Sequence, residues 1–98
     1  MINATEKVTL VKKEEIAFLH FPTEDVLYNS QDKIEREVEL KKALSLGNLD
    51  HFKIKLFFQD IAGSKSVETT IWGLTNTTVI LKTGITIPIA RINGVEFI

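Results

Sequence analysis

Apolar and polar side chains alternate along much of the chain beyond Leu49. In residues 52–59 every even position is apolar, whereas the odd positions hold two lysines, a phenylalanine and a glutamine. Successive side chains of a β-strand point to opposite faces of its sheet. The pattern therefore predicts a strand that buries its even positions and turns its odd positions outward.

Turn-forming residues divide this half of the chain into about five short strands. They occur at residues 60–64, 75–76, 83–84 and 93–94. Pro88 has no backbone N–H to donate, so its strand is predicted to lie at a sheet edge, with a 3₁₀ turn after it. Residues 50–98 are thus predicted to form a small antiparallel sheet or a partly closed barrel.

Residues 31–47 are rich in Glu, Lys and Leu, which favour helices, and they predict one helix. Either Ser30 or Asp32 could cap its N-terminus. Gly47 and the asparagine after it would end the helix, because glycine readily adopts a left-handed conformation. A strand is the alternative, since acidic residues occupy the odd positions over 34–40.

The first thirty residues are predicted to hold two short strands and a turn. Val8 and Leu10 alternate with polar neighbours and indicate the first strand. Residues 16–21 are apolar on both faces and predict a second, buried strand that ends at Pro22. No linker or repeat interrupts the chain, so residues 1–98 are predicted to form a single α+β domain in which strands predominate.

Composition narrows the possible functions without defining one. With 98 residues, 44% of them hydrophobic, the chain can bury one core. Its 12 basic and 13 acidic side chains nearly balance, so no overall field draws it to nucleic acid or to membranes. The absence of cysteine excludes disulfides and thiolate chemistry. No secretion signal or membrane-spanning segment is evident, and a cytoplasmic location is expected.

No arrangement of residues points to catalysis, to a metal or to a cofactor. His20 lies within a predicted strand, and His51 follows Asp50, whose side chain would point to the opposite face of a strand. Metal sites need three or four convergent ligands, and the scattered glycines form no phosphate-binding loop. The chain is therefore predicted not to be an enzyme and to need no cofactor or metal.

The outer face of the predicted sheet combines aromatic, apolar and basic side chains. Its candidate interaction residues are Lys53, Lys55, Phe57, Trp72 and Ile80. Leu74 is assigned to the same face. Arg91, just after the Pro88 edge, is a further candidate, because its planar guanidinium can bind a phosphate or carboxylate, although such a residue more often pairs with a nearby glutamate or caps a turn. Aromatic rings among lysines are typical of a stacking platform for single-stranded nucleic acid. More commonly, a second apolar face is covered, here by the predicted helix or by another subunit.

A helix followed by about five short strands resembles the Sm-like and SH3-like small barrels. Residues 78–82 and 89–92 are similar to the closing strands of bacterial Sm-like RNA chaperones. The resemblance covers the helix and the strands after it, and it implies a small antiparallel barrel. Where that family typically has Gly, Asp and Asn, this chain offers Thr69, Thr75 and Thr78. RNA binding is therefore not carried over from the family.

Three further phrases resemble a family of short proteins from Bacteroidota-type bacteria. They are residues 43–48, 67–72 and 81–84, the last of them followed by 87–92. This likeness covers about half of the chain, and it implies no particular activity.

The leading prediction is a non-catalytic interaction module that binds a protein partner or associates with itself. It rests on the second apolar face and on the Pro88 edge strand, whose free backbone groups invite pairing with another strand. Binding of single-stranded RNA is the alternative, and neither a membrane nor a metal is expected among the partners.

Overall fold

The computed structural model describes residues 7–98 and shows a small α+β fold in which strands predominate. The helices of this range are the short α1 and the long α2, which span Lys13–Ile16 and Ser30–Asp50. The strands are β1 Thr9–Leu10, β2 Ile54–Asp60, β3 Gly63–Thr69, β4 Ile71–Leu74, β5 Thr78–Leu81, β6 Thr86–Pro88 and β7 Ile92–Phe97. Short 3₁₀ turns follow β5 and β6, at Lys82–Gly84 and Ile89–Arg91. The predicted N-terminal segment includes residues 1–6, which lie outside the described residues.

The seven strands of the described range form two sheets. One has the order β1-β3-β2-β7, and its pairs are antiparallel except for β1 with β3. The other has the order β4-β5-β6 and is antiparallel throughout. Only Thr70 separates β3 from β4, so one continuous stretch of chain contributes to both sheets. The predicted, largely antiparallel α+β class is confirmed, and β6 with Pro88 lies at a sheet edge as predicted.

Alternation in β2 is confirmed. Ile54, Leu56 and Phe58 are at most 1% exposed, whereas Lys55 and Phe57 between them are only half-buried. Burying one apolar face of a strand fixes its register, because a shift of one residue would turn every apolar side chain outward. The even positions of β2 therefore define the inner face of the sheet.

A β-bulge in β4 changes the face that its last residue occupies. The register with β5 shifts between Ile71 and Gly73, which leaves Trp72 as the extra residue. Leu74 consequently pairs with the buried Val79 and packs against the core. The assignment of Leu74 to the outer face is wrong, because strict alternation does not allow for an inserted residue.

The predicted helix is confirmed and the alternative strand is excluded, but the helix bounds differ from the prediction. α2 begins after Asn29, whose side-chain oxygen accepts a hydrogen bond from the backbone N–H of Asp32 at 2.8 Å. It continues past Gly47 and ends just before His51, which adopts the left-handed conformation with φ of 57°. Ser30 and Asp32 are therefore not the cap, and Gly47 does not end the helix.

Gly47 instead allows α2 to approach the sheets closely. A Cβ at this position would lie 2.5 Å from the carbonyl oxygen of Ile71 and 3.1 Å from Cγ2 of Thr70. A Cβ atom in a packed interior does not approach a backbone oxygen so closely. The helix therefore crosses the start of β4 at a contact that only glycine permits without a shift of the backbone.

The N-terminal region agrees with the prediction only in its first strand. β1 is present as two residues that pair parallel with β3. The predicted strand at residues 16–21 is wrong, because α1 ends at Ile16 and a turn follows it. The side chain of Glu15 accepts a hydrogen bond from the backbone N–H of Lys12 at 3.3 Å, which favours the start of a helix. Ile16 is buried but Phe18 is exposed, so this apolar run does not enter the core as a unit.

A single hydrophobic core joins α2 to both sheets. Leu40 and Ala43 of α2 pack in it with the inner-face residues of the strands, including Phe58 and Ile71. The helix therefore covers the inner face of the sheets. Within residues 7–98, neither helix has the length and apolar character needed to cross a membrane.

Candidate functional site

Lys55 and Phe57 lie on the outer face of β2, as predicted. In the strand register Lys55 stands between Glu68 of β3 and Glu96 of β7. Opposite charges on adjacent strands attract each other, so this lysine is flanked by carboxylates. Phe57 is half-buried and lies beside Gly94 of β7. This part of the sheet therefore lacks the net positive charge that stacking on a nucleic acid would use.

Trp72 and Ile80 belong to the other sheet. Trp72 occupies the bulge and is about half exposed. Ile80 lies opposite Gly73, and a Cβ on that glycine would lie 3.3 Å from Cδ1 of Ile80. The isoleucine thus packs over bare backbone. Lys53 precedes β2 and is exposed, so the structure divides the predicted surface between the two sheets.

Arg91 acts as an internal clamp. Its side chain is only 8% exposed. Its Nε donates a hydrogen bond to the carbonyl of Gln59 at 3.0 Å, and one terminal nitrogen donates to the carbonyl of Glu24 at 2.8 Å. The residue therefore holds the N-terminal loop against the end of β2. Arg91 therefore lies in the interior, and not on the interaction surface predicted for it.

Arg36, which was not among the predicted site residues, forms a second buried arginine site. Its side chain is 6% exposed, and its two terminal nitrogens donate to the two carboxylate oxygens of Asp25 at 2.9 and 2.8 Å. One of them also donates to the carbonyl of Ile92 at 3.1 Å. The hydrogen bonds from Arg36 hold the pKa of Asp25 below its usual value, despite partial burial, and the N–H of Leu27 contributes in the same direction.

The helical spacing of Arg36 could have revealed this site. Arg36, Leu40, Ala43 and Gly47 follow one another at intervals of three or four residues, so they share one side of a helix. The structure confirms that they are the buried residues of α2. A lone arginine on an otherwise apolar helix stripe indicates a buried partner for its charge.

Asp60 and Lys65 form another buried ion pair, at the β2–β3 turn. Nζ of Lys65 donates to Oδ1 of Asp60 at 2.7 Å, and the N–H groups of Ala62 and Gly63 donate to the same oxygen, each at 3.1 Å. Burial acts to raise the pKa of Asp60, but the hydrogen bond and charge of Lys65, together with the two N–H groups, outweigh it. The pKa of Asp60 therefore lies below its usual value, and the carboxylate stays ionised at neutral pH.

We expect the free energy of unfolding to fall as the pH drops below about 4, because Asp25 and Asp60 bind protons more readily in the unfolded chain than in the folded one. A carboxyl group whose pKa is lower in the folded state stabilises the fold above its unfolded pKa. That contribution is lost as the pH falls through the folded value. Urea unfolding between neutral and acidic pH measures the effect. Asp60→Asn should make the dependence shallower, and Glu37→Gln, which removes an exposed carboxylate, should leave it unchanged. An unchanged dependence in Asp60→Asn would contradict this assignment.

An exposed apolar patch lies beside the C-terminal end of α2. We call it the terminal patch, and it consists of Leu46, Leu49, Phe52, Phe97 and Ile98. All but Leu49 line a groove of about 140 Å³, and Leu49 follows Leu46 by one helical turn. Leu49, Phe52 and Ile98 are 74%, 52% and 73% exposed. The end of α2, the residue Phe52 before β2, and residues 97–98 thus place large apolar side chains together at the surface.

Basic side chains flank the terminal patch. Nζ of Lys42 lies 4.8 Å from the centre of the Phe97 ring, a cation–π arrangement that holds the ring in place. Lys53, one of the predicted interaction residues, lines the groove itself. The patch therefore combines an apolar centre with two positive charges at its margin.

Other apolar side chains are exposed elsewhere on the described residues. Ile34 and Val38 lie one turn apart on the side of α2 that faces away from the core, and both are exposed. They are not among the residues that line the groove of the terminal patch. This pair provides a matched surface of similar chemistry on the same helix.

The described residues include no group of three or more His, Asp or Glu side chains placed to hold a metal ion. His20 lies in a loop and His51 follows α2, and both side chains are exposed. Comparisons of the chain with protein-family models, with curated proteins and with solved structures find no match. A functional assignment therefore rests on the geometry of the surface.

Proposed function

We propose that the chain is a non-catalytic interaction module that binds a protein partner, or a second copy of itself, through the terminal patch. The observation that carries this proposal is the exposure of Phe52 and Ile98 at an apolar groove, with the exposed Leu49 one helical turn after Leu46 of the same groove. Exposed apolar residues that occur singly are common on protein surfaces, whereas contiguous ones mark sites of association.

Charge adds a condition on the partner. Lys42 and Lys53 flank the patch, and complementary charges at the margin of an interface favour the correct partner and speed its association. The expected partner surface therefore presents an apolar side chain to the groove and carboxylates around it. On this chain, the exposed pair Ile34 and Val38 has glutamates beside it on α2, so a second copy satisfies the same requirement.

Polar substitution of the patch tests the proposal. We expect Leu49→Ser combined with Phe52→Ser to weaken association by about tenfold or more, because the apolar centre of an interface supplies most of its binding energy. Sedimentation velocity over a range of concentrations measures self-association, and cross-linking followed by mass spectrometry detects a partner. If the partner is another protein, Ile34→Ser combined with Val38→Ser is the matched control and should leave association unchanged.

Two outcomes would contradict the proposal. One is a wild-type chain that stays monomeric at all concentrations, together with a set of cross-linked proteins that is the same for the wild-type chain and the patch variant. The other is equal association of the wild-type protein and the patch variant. If both double variants abolish self-association, the patch of one copy binds the outer side of α2 in the next.

We further propose that the two sheets are halves of one small barrel of the Sm-like or SH3-like type, and that the chain is related to the Bacteroidota-type proteins whose phrases it shares. The one-residue link at Thr70 and the common core support a closed arrangement. The 3₁₀ turn at Ile89–Arg91 between β6 and β7 is in keeping with it.

Binding of single-stranded nucleic acid has less support than protein binding. Lys55 stands between two glutamates, and the guanidinium of Arg91 is bonded to backbone carbonyls in the interior. Trp72 keeps an exposed ring, but a stacking platform also needs a positively charged groove that follows the nucleic-acid backbone.

A further inference from the structure

A second groove, of about 480 Å³, lies between the N-terminal half of α2 and the turn that joins β4 to β5. Its apolar lining comes from Leu40, Leu74 and Ile89, which are buried or half-buried. Lys33 and Lys41 are exposed at its margin. The volume falls within the range of about 300–1,000 Å³ that is typical of small-molecule sites. Apolar walls with a few polar groups are also typical of such sites.

Arg36 also lines this groove, and one of its donors has no partner. Both terminal nitrogens bond to Asp25, which is not among the groove residues, whereas Nε is buried without a hydrogen bond. Buried donors are almost always satisfied in folded proteins, and exceptions mark strain, a functional role, or a bound water or ion. In a planar guanidinium, Nε–H and one terminal N–H point to the same side, which is the geometry that receives a carboxylate.

The charged side chains around the groove favour a ligand that carries a single negative charge. Lys33, Arg36 and Lys41 are positive and Glu37 is negative, with its carboxylate 3.0 Å from Nζ of Lys41. Asp25 behind the groove offsets Arg36. The net charge of these five side chains is therefore +1, and the floor of the groove beside them is apolar.

We propose that this groove binds a small aliphatic carboxylate. Its tail lies against Leu40, Leu74 and Ile89, and its carboxylate accepts hydrogen bonds from Nε of Arg36 and from Lys33. The same chemistry is present in a free aliphatic acid and in the C-terminal carboxylate of a peptide that ends in an apolar residue. The site is independent of the proposed protein-binding function, because none of its lining residues belongs to the terminal patch.

The side-chain NMR signals of the two arginines test the proposal directly. The chain contains only Arg36 and Arg91, and both are buried, so each Nε–H group should give a resolved signal. We expect octanoate, added below its micelle concentration, to shift the Arg36 Nε–H signal and to leave that of Arg91 in place, because Nε of Arg91 already donates to Gln59. Octan-1-ol, with the same tail and no charge, should bind about tenfold more weakly.

Variants locate the site and its ligand class. Lys33→Glu should weaken octanoate binding by about tenfold or more, since it reverses a charge beside the ligand, and Lys53→Glu at the other groove should leave it unchanged. A leucine-terminated tripeptide that competes with octanoate only when its carboxylate is free would assign the site to peptide C-termini. A tripeptide that does not compete would assign it to free acids.

The proposal is wrong if octanoate leaves the Arg36 signal in place. It is also wrong if octanol binds as tightly as octanoate, or if Lys33→Glu and Lys53→Glu have equal effects. Circular dichroism of the two variants, whose substituted side chains are both exposed, confirms that each remains folded before binding is compared.

Discussion

Replacement of Arg36 by leucine should lower the free energy of unfolding by about 3 kcal/mol, which is at the lower end of the cost of breaking a buried ion pair. The change leaves the carboxylate of Asp25 without its two charged donors and removes one donor from the carbonyl of Ile92. Asp25 keeps a quarter of its side chain exposed, so water compensates part of the loss. Urea unfolding followed by Trp72 fluorescence gives the value.

Two further variants separate the ion pair from the loss of packing. Asp25→Ala and the double variant complete a cycle with Arg36→Leu, and the coupling should be about 1–3 kcal/mol, as for other residues in one hydrogen-bonded network. Lys41→Leu breaks the exposed pair with Glu37 on the same helix and should change stability by less than about 1 kcal/mol. Equal effects of Arg36→Leu and Lys41→Leu would show that burial does not strengthen the Arg36 contact.

Substitution of Gly47 by alanine should lower the free energy of unfolding by about 1–3 kcal/mol, as overpacking of a well-filled interior does. Within an exposed helix the same change would raise stability by about 0.5–1 kcal/mol, because glycine loses more backbone freedom on folding than alanine. Here the added Cβ would lie 2.5 Å from the carbonyl oxygen of Ile71, so α2 must move away from β4. The two effects have opposite signs, and the measured sign therefore distinguishes them.

The neighbouring residue is the matched control for Gly47. Asn48 is exposed on the same turn of α2, and Asn48→Ala should raise stability by a few tenths of a kcal/mol through helix propensity alone. Both variants can be compared by urea unfolding under identical conditions. A gain in stability for Gly47→Ala would mean that the helix tolerates a side chain at its closest approach to the sheets.

Local patterns predicted those parts of the fold that local forces decide. The alternation over β2 identified its buried face, because the period of a strand is fixed by backbone geometry. The helix over 31–47 was recognised from residue type, and Pro88 correctly marked an edge strand. These features depend on residues that are near one another in the sequence.

Tertiary contacts explain the predictions that are wrong. Gly47 has the residue type of a helix end, but its role is to let Ile71 approach, and that contact joins residues far apart in the chain. The bulge at Trp72 reverses the side on which Leu74 lies, and no local pattern indicates an inserted residue. Residues 16–21 are as apolar as a buried strand, yet the sheet has no position for them and Phe18 remains exposed.

Long-range assembly also determines the candidate sites. The terminal patch brings α2 together with the chain before β2 and the last residues of β7, so its residues could not be grouped without the fold. Residue type alone makes Arg91 a candidate anion ligand, but the fold places carbonyl oxygens around it. Arg36 was the more informative of the two, since its position on an apolar helix stripe required a buried partner.

The two arginine clamps also constrain the order in which the chain can fold during its synthesis. Arg91 bonds to the carbonyl of Glu24 across 67 positions, and Arg36 reaches the carbonyl of Ile92 across 56. On the ribosome, α2 can form from local contacts as soon as it emerges, and Asp25 can then pair with Arg36, whereas the carbonyl of Glu24 must wait until Arg91 has been translated. Closing such long loops is the slow part of folding, so the Glu24 carbonyl is translated early but gains its partner late.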